Sequence, residues 1–431
     1  MKKNLVSSAL ILIGLLTGAQ AQVAGSTKEN GYGLPSQITL PEPFATESVR
    51  RETQIVGWPE GKTPQAPSGL TVKEFASDLK HPRWIYILPN DDVLVAEAED
   101  YSKDEKERKK QIRSGHSANR ITLFRDRDGD GIADERHVFL ENLFQPFGMA
   151  LAKGHLYVAN SNSIVRFPYV EGADSLEGEG EKIADLPAGG YNHHWTRNLM
   201  LDKSGERLLV TVGSSSNVGE HGMDREERRA KILIMDLNGD NEEIYAWGLR
   251  NPNGLDYNPV SGVLWTAVNE RDKLGDNLVP DYITSVKQGG FYGWPYKYFG
   301  DHIDPRWEGK IPEDLPEVIV PDLATGSHTA TMDIHFYRDN KLGDEYQNGA
   351  FVAQHGSWNR AKYIGYKILF VPFRDGRPTG EVRDFLTGFM KDTDSDEAYG
   401  RPTAVAEESD GTLLVVDDDG ETIWSIQPSM P

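Results

Sequence analysis

Val93-Leu94-Val95-Ala96-Glu97-Ala98 is an apolar hexapeptide entered from a polar turn, and five relatives of it follow along the chain: HLYVAN (155–160), LLVTVG (208–213), VLWTAV (263–268), GAFVAQ (349–354) and LLVVDD (413–418). Each is the second half of a longer phrase: a turn, an apolar strand, a Gly or Asn/Asp turn, then the hexapeptide. The six phrases span 81–98, 145–160, 194–213, 250–270, 329–356 and 400–419. A single strand pair cannot bury its apolar face, so a recurring pair implies units stacked about one axis. Six such units predict an all-β, six-bladed β-propeller with four strands to a blade. The outer strand of the sixth blade is expected from the N-terminal lead-in. A propeller collects loops from all blades around one central pocket, and several phrases open with His or Arg at that place.

The chain has 431 residues, which suits one large closed β domain because no Ser/Gly linker or low-complexity tract divides the repeats. At the N-terminus, Lys2-Lys3 precede the apolar run Leu10 to Leu16, and Ala19-Gln20-Ala21 supplies small residues for cleavage. Residues 1–21 therefore read as a signal peptide cut after Ala21, too short to remain as a membrane anchor. Residues 22–67 read as an extended lead-in and 68–431 as the propeller. No long apolar run follows the signal, so no integral membrane segment is expected after cleavage.

The chain contains no Cys, which excludes disulfides, thiolate chemistry and covalent haem attachment. Export without disulfides points to a periplasmic or secreted protein. The net charge of −21 argues against a nucleic-acid partner, whose phosphates it would repel.

Asp126-Arg127-Asp128-Gly129-Asp130-Gly131-Ile132-Ala133-Asp134 alternates carboxylates around a Gly turn. Asp126, Asp128, Asp130 and Asp134, with the Ile132 carbonyl, would supply hard oxygen ligands to a structural Ca²⁺. The flanks ITLF and HVFL read as strands, so this would be a stapled hairpin rather than an EF-hand. The same residues also favour a turn that holds nothing.

Four other places carry candidate chemistry. His193-His194 open the third phrase on a Gly-Gly loop, and His194 is placed where a general base would face the pocket, with His193 directed away from the axis. Arg250-Asn251-Pro252 open the fourth phrase, with a rigid fork of donors for an anion; an inter-blade salt bridge is the other reading. That phrase ends in Glu270-Arg271-Asp272, where carboxylates and carbonyls could gather a second cation. Arg360 and Lys362 close the fifth phrase and Arg401 opens the sixth. Arginines converging in an acidic protein imply an anionic ligand.

The pieces HPRW, QPFGMAL, HHWTRNL, GLRNPNGLDYNP, LWTAVNERD, DYITSVKQGGFYGWPY, HGSWNR, IGYKILFVPF and GRPTAV resemble the L-sorbosone dehydrogenases. These stand with the soluble glucose and aldose dehydrogenases that depend on pyrroloquinoline quinone (PQQ), and the resemblance runs from about residue 66 to the C-terminus. It implies a six-bladed propeller with PQQ and Ca²⁺ on its axis, oxidising a sugar aldehyde or alcohol. His194 would take the hydroxyl proton while hydride passes to the quinone. Arg250 and Asn251 would contact the cofactor near its reacting carbonyl. Arg401, Arg360 and Lys362 would hold its carboxylates, and backbone carbonyls at Arg271 and Asp272 would bind the active-site Ca²⁺. An external acceptor, a cytochrome or a quinone, would take the electrons.

The chain departs from that pattern in two places. Ser214 stands where the glucose dehydrogenases carry an Asp beside the base, and Asn269-Glu270-Arg271-Asp272 replaces their metal loop. Two other functions therefore stay open. A Ca²⁺-dependent propeller lactonase would use Glu270, Asn251 and Asp417 as a metal cage, and a non-catalytic propeller would bind sugars or proteins through the same loops.

Overall fold

The computed structural model describes residues 31–189, 191–392 and 394–429. The expected signal peptide, residues 1–21, lies outside them. Among the described residues, six sheets are arranged as the six blades of a propeller, antiparallel except where Gly290–Phe291 runs parallel to Glu243–Trp247 at the edge of blade 3. Their innermost strands are Pro82–Ile87, Pro146–Ala152, Leu199–Leu201, Asn251–Tyr257, Thr331–Phe336 and Pro402–Glu407. Each repeated phrase proves to be the innermost strand of a blade and the strand beside it. The second strands, such as Val93–Glu97, Gly349–Gln354 and Leu413–Asp417, are buried at every position. They are covered by a neighbouring blade on either face, and so read as continuous apolar runs.

The ring closes in blade 6, where Leu70–Ala76 pairs with Thr422–Pro428 as the outer strand. This strand begins after residue 67, so closure comes from just beyond the lead-in rather than from within it. The described part of the lead-in, from residue 31, is nonetheless packed on the propeller. Tyr32–Gly33 extends blade 4 by pairing with Leu323–Ser327, and Gln54–Ile55 runs parallel to Glu397–Ala398. Trp58 packs against Phe389, Tyr399 and Trp424, and its Nε1 donates to Asp417 Oδ2 at 2.7 Å.

Near the axial entry, five of the innermost strands shift register against their neighbours, at Pro82/Trp84, Pro146/Met149, Pro252/Leu255, Thr331/Asp333 and Pro402/Ala404. Proline has no N–H for a ladder and sits at strand starts and bulges, and a bulge re-aims the side chains beside it. The X-Pro turns of the repeats are thus what point Arg83, Asn251 and Arg401 inward.

Candidate active site

The loops that enter the innermost strands enclose a cavity of about 760 Å³ at one mouth of the axis. Its wall carries Arg83, His194, Arg250, Asn251 and Arg401 from strand entries, and Glu270, Asp272 and His355 from the loops after second strands. Arg50, Glu52 and Thr53 of the lead-in complete it.

His194 is half-buried and its Nδ1 lies 2.9 Å from the Ser214 carbonyl oxygen and 3.0 Å from Ser214 Oγ. The Ser214 hydroxyl donates to the Ser216 carbonyl at 2.6 Å. A backbone carbonyl only accepts, so Nδ1 carries the proton and Nε2 keeps its lone pair. The loop that presents this carbonyl is held by buried Glu226, which accepts from Ser215 N, Ser215 Oγ and Ser216 Oγ at 2.7–2.8 Å. Gly213 precedes it for steric reasons, since a Cβ there would meet Asn251 Oδ1 at 2.2 Å and the His194 Cβ at 2.6 Å. Burial, then the neighbouring His193 and Arg250, hold the His194 imidazolium well below the usual histidine range. Only the hydrogen bond to the Ser214 carbonyl opposes that depression, since Ser214 stands where a carboxylate would add a negative charge.

His193 was expected to face away from the axis. Instead it lines the same cavity, its ring 4.4 Å from that of His194 and stacked on Tyr191. The Nδ1 of His193 is buried without a hydrogen-bond partner. Burial and then the positive charge of Lys103 push its pKa down to about 3.

Arg250 is buried and fully engaged. Its Nε donates to the Asn217 carbonyl at 3.0 Å, and Nη2 donates to Asn217 Oδ1 and Asp272 Oδ2, both at 2.8 Å. Asp272 also faces His328, whose Nδ1 lies 3.5 Å from Oδ1 and whose Nε2 lies 2.8 Å from the Gly275 carbonyl. Burial alone would raise Asp272, but the Arg250 charge, the His328 hydrogen bond and charge, and His193 together outweigh it and hold the carboxyl well below its ordinary value. For Asn251, Nδ2 donates to Asn269 Oδ1 at 3.1 Å. Arg401 donates to the carbonyls of His355 at 2.9 Å and Gly356 at 3.0 Å, and its guanidinium lies over the Tyr366 ring.

Two assignments need correction. Arg360 does not line the cavity; its Nη1 donates to the Asp276 carbonyl at 2.7 Å. Lys362 is exposed and likewise lies outside the wall. The Arg271 side chain turns away to the buried Asp304, and the backbone carbonyls of Arg271 and Asp272 each accept a hydrogen bond, that of Arg271 keeping a second lone pair. That of Arg271 accepts from Val279 N at 3.4 Å, and that of Asp272 accepts from Asn217 Nδ2 at 3.1 Å. The carboxyls on the wall are those of Glu52, Asp100, Asp272, Glu270 and Asp281, and burial pushes the last two up to about 8 and about 6.

The lactonase cage is divided. Glu270 and Asn251 line the cavity, whereas the buried Asp417 accepts from Trp58 Nε1, Arg401 N and Gly420 N and lies outside the wall. On blade 1, Asp126, Asp128 and Asp130 converge with carboxylate oxygens within 4.8 Å of one another. Asp134 does not join them; its Oδ2 accepts from Arg127 N at 2.7 Å. Ile132 sits in the same loop with its N–H bonded to Asp130 Oδ1 at 2.8 Å. The flanks form the expected strands Arg120–Arg125 and Glu135–Leu140.

Sequence reasoning passed over Arg83, Lys103, His328 and Glu226. Arg83 had a signal, since it is the third residue of the first phrase. The others sit in loops whose course the repeats do not determine.

Known proteins resemble the chain along most of its length. An uncharacterized protein of Borreliella burgdorferi is 30% identical over 301 residues, covering 67% of this chain and 77% of that protein. The aldose sugar dehydrogenase YliI of Escherichia coli is 31% identical over 184 residues, 39% of this chain and 46% of the enzyme. Among solved structures, the calcium structure of Trichoderma reesei family AA12 superposes with a TM-score of 0.69 at 19% identity, covering 87% of this chain and 98% of that one. The holo PQQ domain of Coprinopsis cinerea pyranose dehydrogenase gives 0.68 at 17% identity, covering 86% and 98%. The TrAA12-like family model matches residues 64–286 and 315–429, and with the propeller and its axial cavity this places the chain in the TrAA12-like family.

Proposed function

We propose that the chain is a PQQ- and Ca²⁺-dependent oxidoreductase that oxidises an aldose or related sugar aldehyde or alcohol, of sorbosone type, in the axial cavity. The observation that carries this reading is the tautomer of His194, which leaves a lone pair on Nε2 within a wall studded with arginines. The cavity suits the cofactor. Arg83, Arg250 and Arg401 gather in a chain of net charge −21, and the wall offers the buried carboxyls of Glu270 and Asp281 to a hard cation, which would draw Glu270 into its ionised form. When bound, PQQ supplies an ortho-quinone that accepts hydride, and three carboxylates. Arg401 holds carboxylate, while Arg250, fixed between Asn217 and Asp272, keeps positive charge where negative charge develops on oxygen. Asn251 lies beside it. His194 Nε2 takes the proton of the substrate hydroxyl, or of a hydrated aldehyde, and the Ser214 carbonyl holds the resulting imidazolium. An external cytochrome or quinone takes the electrons. The N-terminal 21 residues support export to the periplasm with a mature chain starting at Gln22, which mass measurement of the processed protein checks.

Reconstitution of apo protein with PQQ and Ca²⁺, followed by dye reduction with a panel of aldoses and sugar aldehydes, tests the assignment. Sugar-dependent reduction that needs both additions is expected. Lactone hydrolysis without PQQ, or no dye reduction with any member of the panel, would overturn it.

A further inference from the structure

A second cavity of about 450 Å³ lies at the opposite mouth of the axis, where the innermost strands end. Its wall is mostly apolar and aromatic, including Trp84, Tyr86, Met149, Met200, Leu201 and Tyr257. This size and lining are those of small-molecule pockets, which join a hydrophobic wall to a few polar groups. Four of its polar groups form one linked set. His335 Nε2 lies 3.2 Å from Glu407, its Nδ1 lies 3.9 Å from Asp256, and Arg338 bonds Asp256 in turn. Nothing in the proposed sugar chemistry uses this end of the molecule.

The two mouths are joined by aromatic rings. Trp195 lines the axial cavity beside His194, and Trp84 lines the far one. Between them stands the fully buried Phe147, 6.3 Å from Trp195 and 4.8 Å from Trp84, centroid to centroid. Packing alone does not require three rings in series between two cavities, each of which is open to solvent.

We propose that the far cavity is the binding site of the electron acceptor, a small benzoquinone, and that Trp195, Phe147 and Trp84 form the path between the two sites. This assignment rests on the oxidoreductase reading above and locates its acceptor. The balance is complete. Oxidation of the sugar C–H and O–H releases two electrons and two protons. The quinone takes up two of each, its two carbonyls becoming the hydroxyls of the quinol. His335, with Glu407 and Asp256 against it, stands at the cavity to pass protons in from solvent. The flat quinone ring stacks on Trp84 and Tyr257, as offset aromatic pairs do.

Binding is tested without cofactor, so it can fail or succeed independently of the sugar chemistry. The apo protein is titrated with 2,3-dimethoxy-5-methyl-1,4-benzoquinone while tryptophan fluorescence is recorded; with no Cys in the chain, quenching cannot arise from thiol adducts. Saturable quenching is expected, with the amplitude largely lost in Trp84→Phe. Met200→Trp, which places a bulky ring at the half-exposed mouth, should weaken binding at least tenfold while melting as the wild type does. In the loaded enzyme the same variant should lose quinone reduction and keep reduction of a hydrophilic dye. Absence of saturable quenching, or quenching unchanged in both variants, would overturn the proposal. So would competition by the sugar, which would place the quinone in the axial cavity.

Discussion

Replacing His194 by Gln removes the one atom to which the proposed chemistry assigns a proton transfer. Gln can still donate an amide hydrogen toward Ser214, so the loop of residues 213–217 and the Glu226 bonds beneath it are kept. What disappears is a basic lone pair on the cavity wall. General base catalysis contributes about 10²- to 10⁴-fold, so kcat should fall by that factor, about 3 to 5 kcal/mol in the barrier. The pH profile adds a sharper check. Burial, His193 and Arg250 hold the His194 pKa well below the ordinary value of about 6.5. The base is therefore neutral at pH 7, and kcat/KM in the wild type should stay level down through about pH 6.5 and fall only further into acid. Stability carries the same sign: below about 6.5 the unfolded imidazole takes up a proton that the folded one refuses, so stability drops as pH falls. The variant should lose the acid limb of the rate profile and, separately, part of the acid instability. Steady-state kinetics with saturating PQQ from pH 5 to 8, with urea unfolding over the same range, reads both. Full activity in His194→Gln, or an acid limb that persists unchanged, would refute the assignment. His193→Gln is the partner experiment. Because His193 lines the cavity, it should mainly raise KM, and an equal loss of kcat in both variants would move the base away from His194.

Arg401→Ala should weaken PQQ binding by about 30-fold or more, the usual cost of truncating one partner of a buried charged contact, with near-normal turnover once saturated; an unchanged absorbance titration with PQQ would remove Arg401 from the cofactor site. Asp128→Ala with Asp130→Ala should abolish a Ca²⁺-dependent rise in Tm of about 2 °C or more while leaving PQQ binding intact. If chelator leaves the wild-type Tm unchanged, the hairpin is only a turn. Burial pushes the Asp333 carboxyl up to about 8, so the folded state keeps its proton while the unfolded chain ionises near 4, and stability falls by about 1.4 kcal/mol per unit between those values as pH rises. Asp333→Asn removes that slope whatever constant penalty it brings. A wild-type-to-variant difference in unfolding free energy that is constant from pH 5 to 8 would show that Asp333 is ionised in the folded protein.

The fold was legible because its signal is redundant. Each buried second strand, from Val93–Glu97 to Leu413–Asp417, is an unbroken apolar run between turns, and six copies leave few architectures that bury them all. Ring closure was misplaced because Leu70–Ala76 has no repeat of its own to mark it, and only the pairing with Thr422–Pro428 reveals its place. The role of the lead-in was hidden for a similar reason. Arg50 and Glu52 reach the cavity through an irregular course that no periodicity encodes. The direction of His193 was wrong because adjacent side chains alternate only in an extended strand, and residues 191–198 precede the strand at Leu199–Leu201.

The successes and failures among the arginines have one geometric cause. A residue at the entry of an innermost strand is carried to the axis by the strand itself, whatever the loop before it does. Arg83, Arg250 and Arg401 stand at or next to such entries, and all three line the cavity. A residue after a second strand has only the length of the loop to place it, and the chain moves about 3.3 Å outward or inward with each position. In blade 5, His355 directly follows Gly349–Gln354 and remains on the wall, as does Trp358. By Arg360 the loop has reached the backbone of Asp276, and by Lys362 it is in solvent. In blade 4, Asn269, Glu270 and Asp272 stay on the wall, while Arg271 between them turns outward to Asp304. Spacing from a strand end, more than residue type, decides which charges of a propeller meet on its axis. By that rule the strand entries bring Arg83, Arg250 and Arg401 to the cavity wall, and the fifth blade contributes His355 and Trp358 in place of a cation.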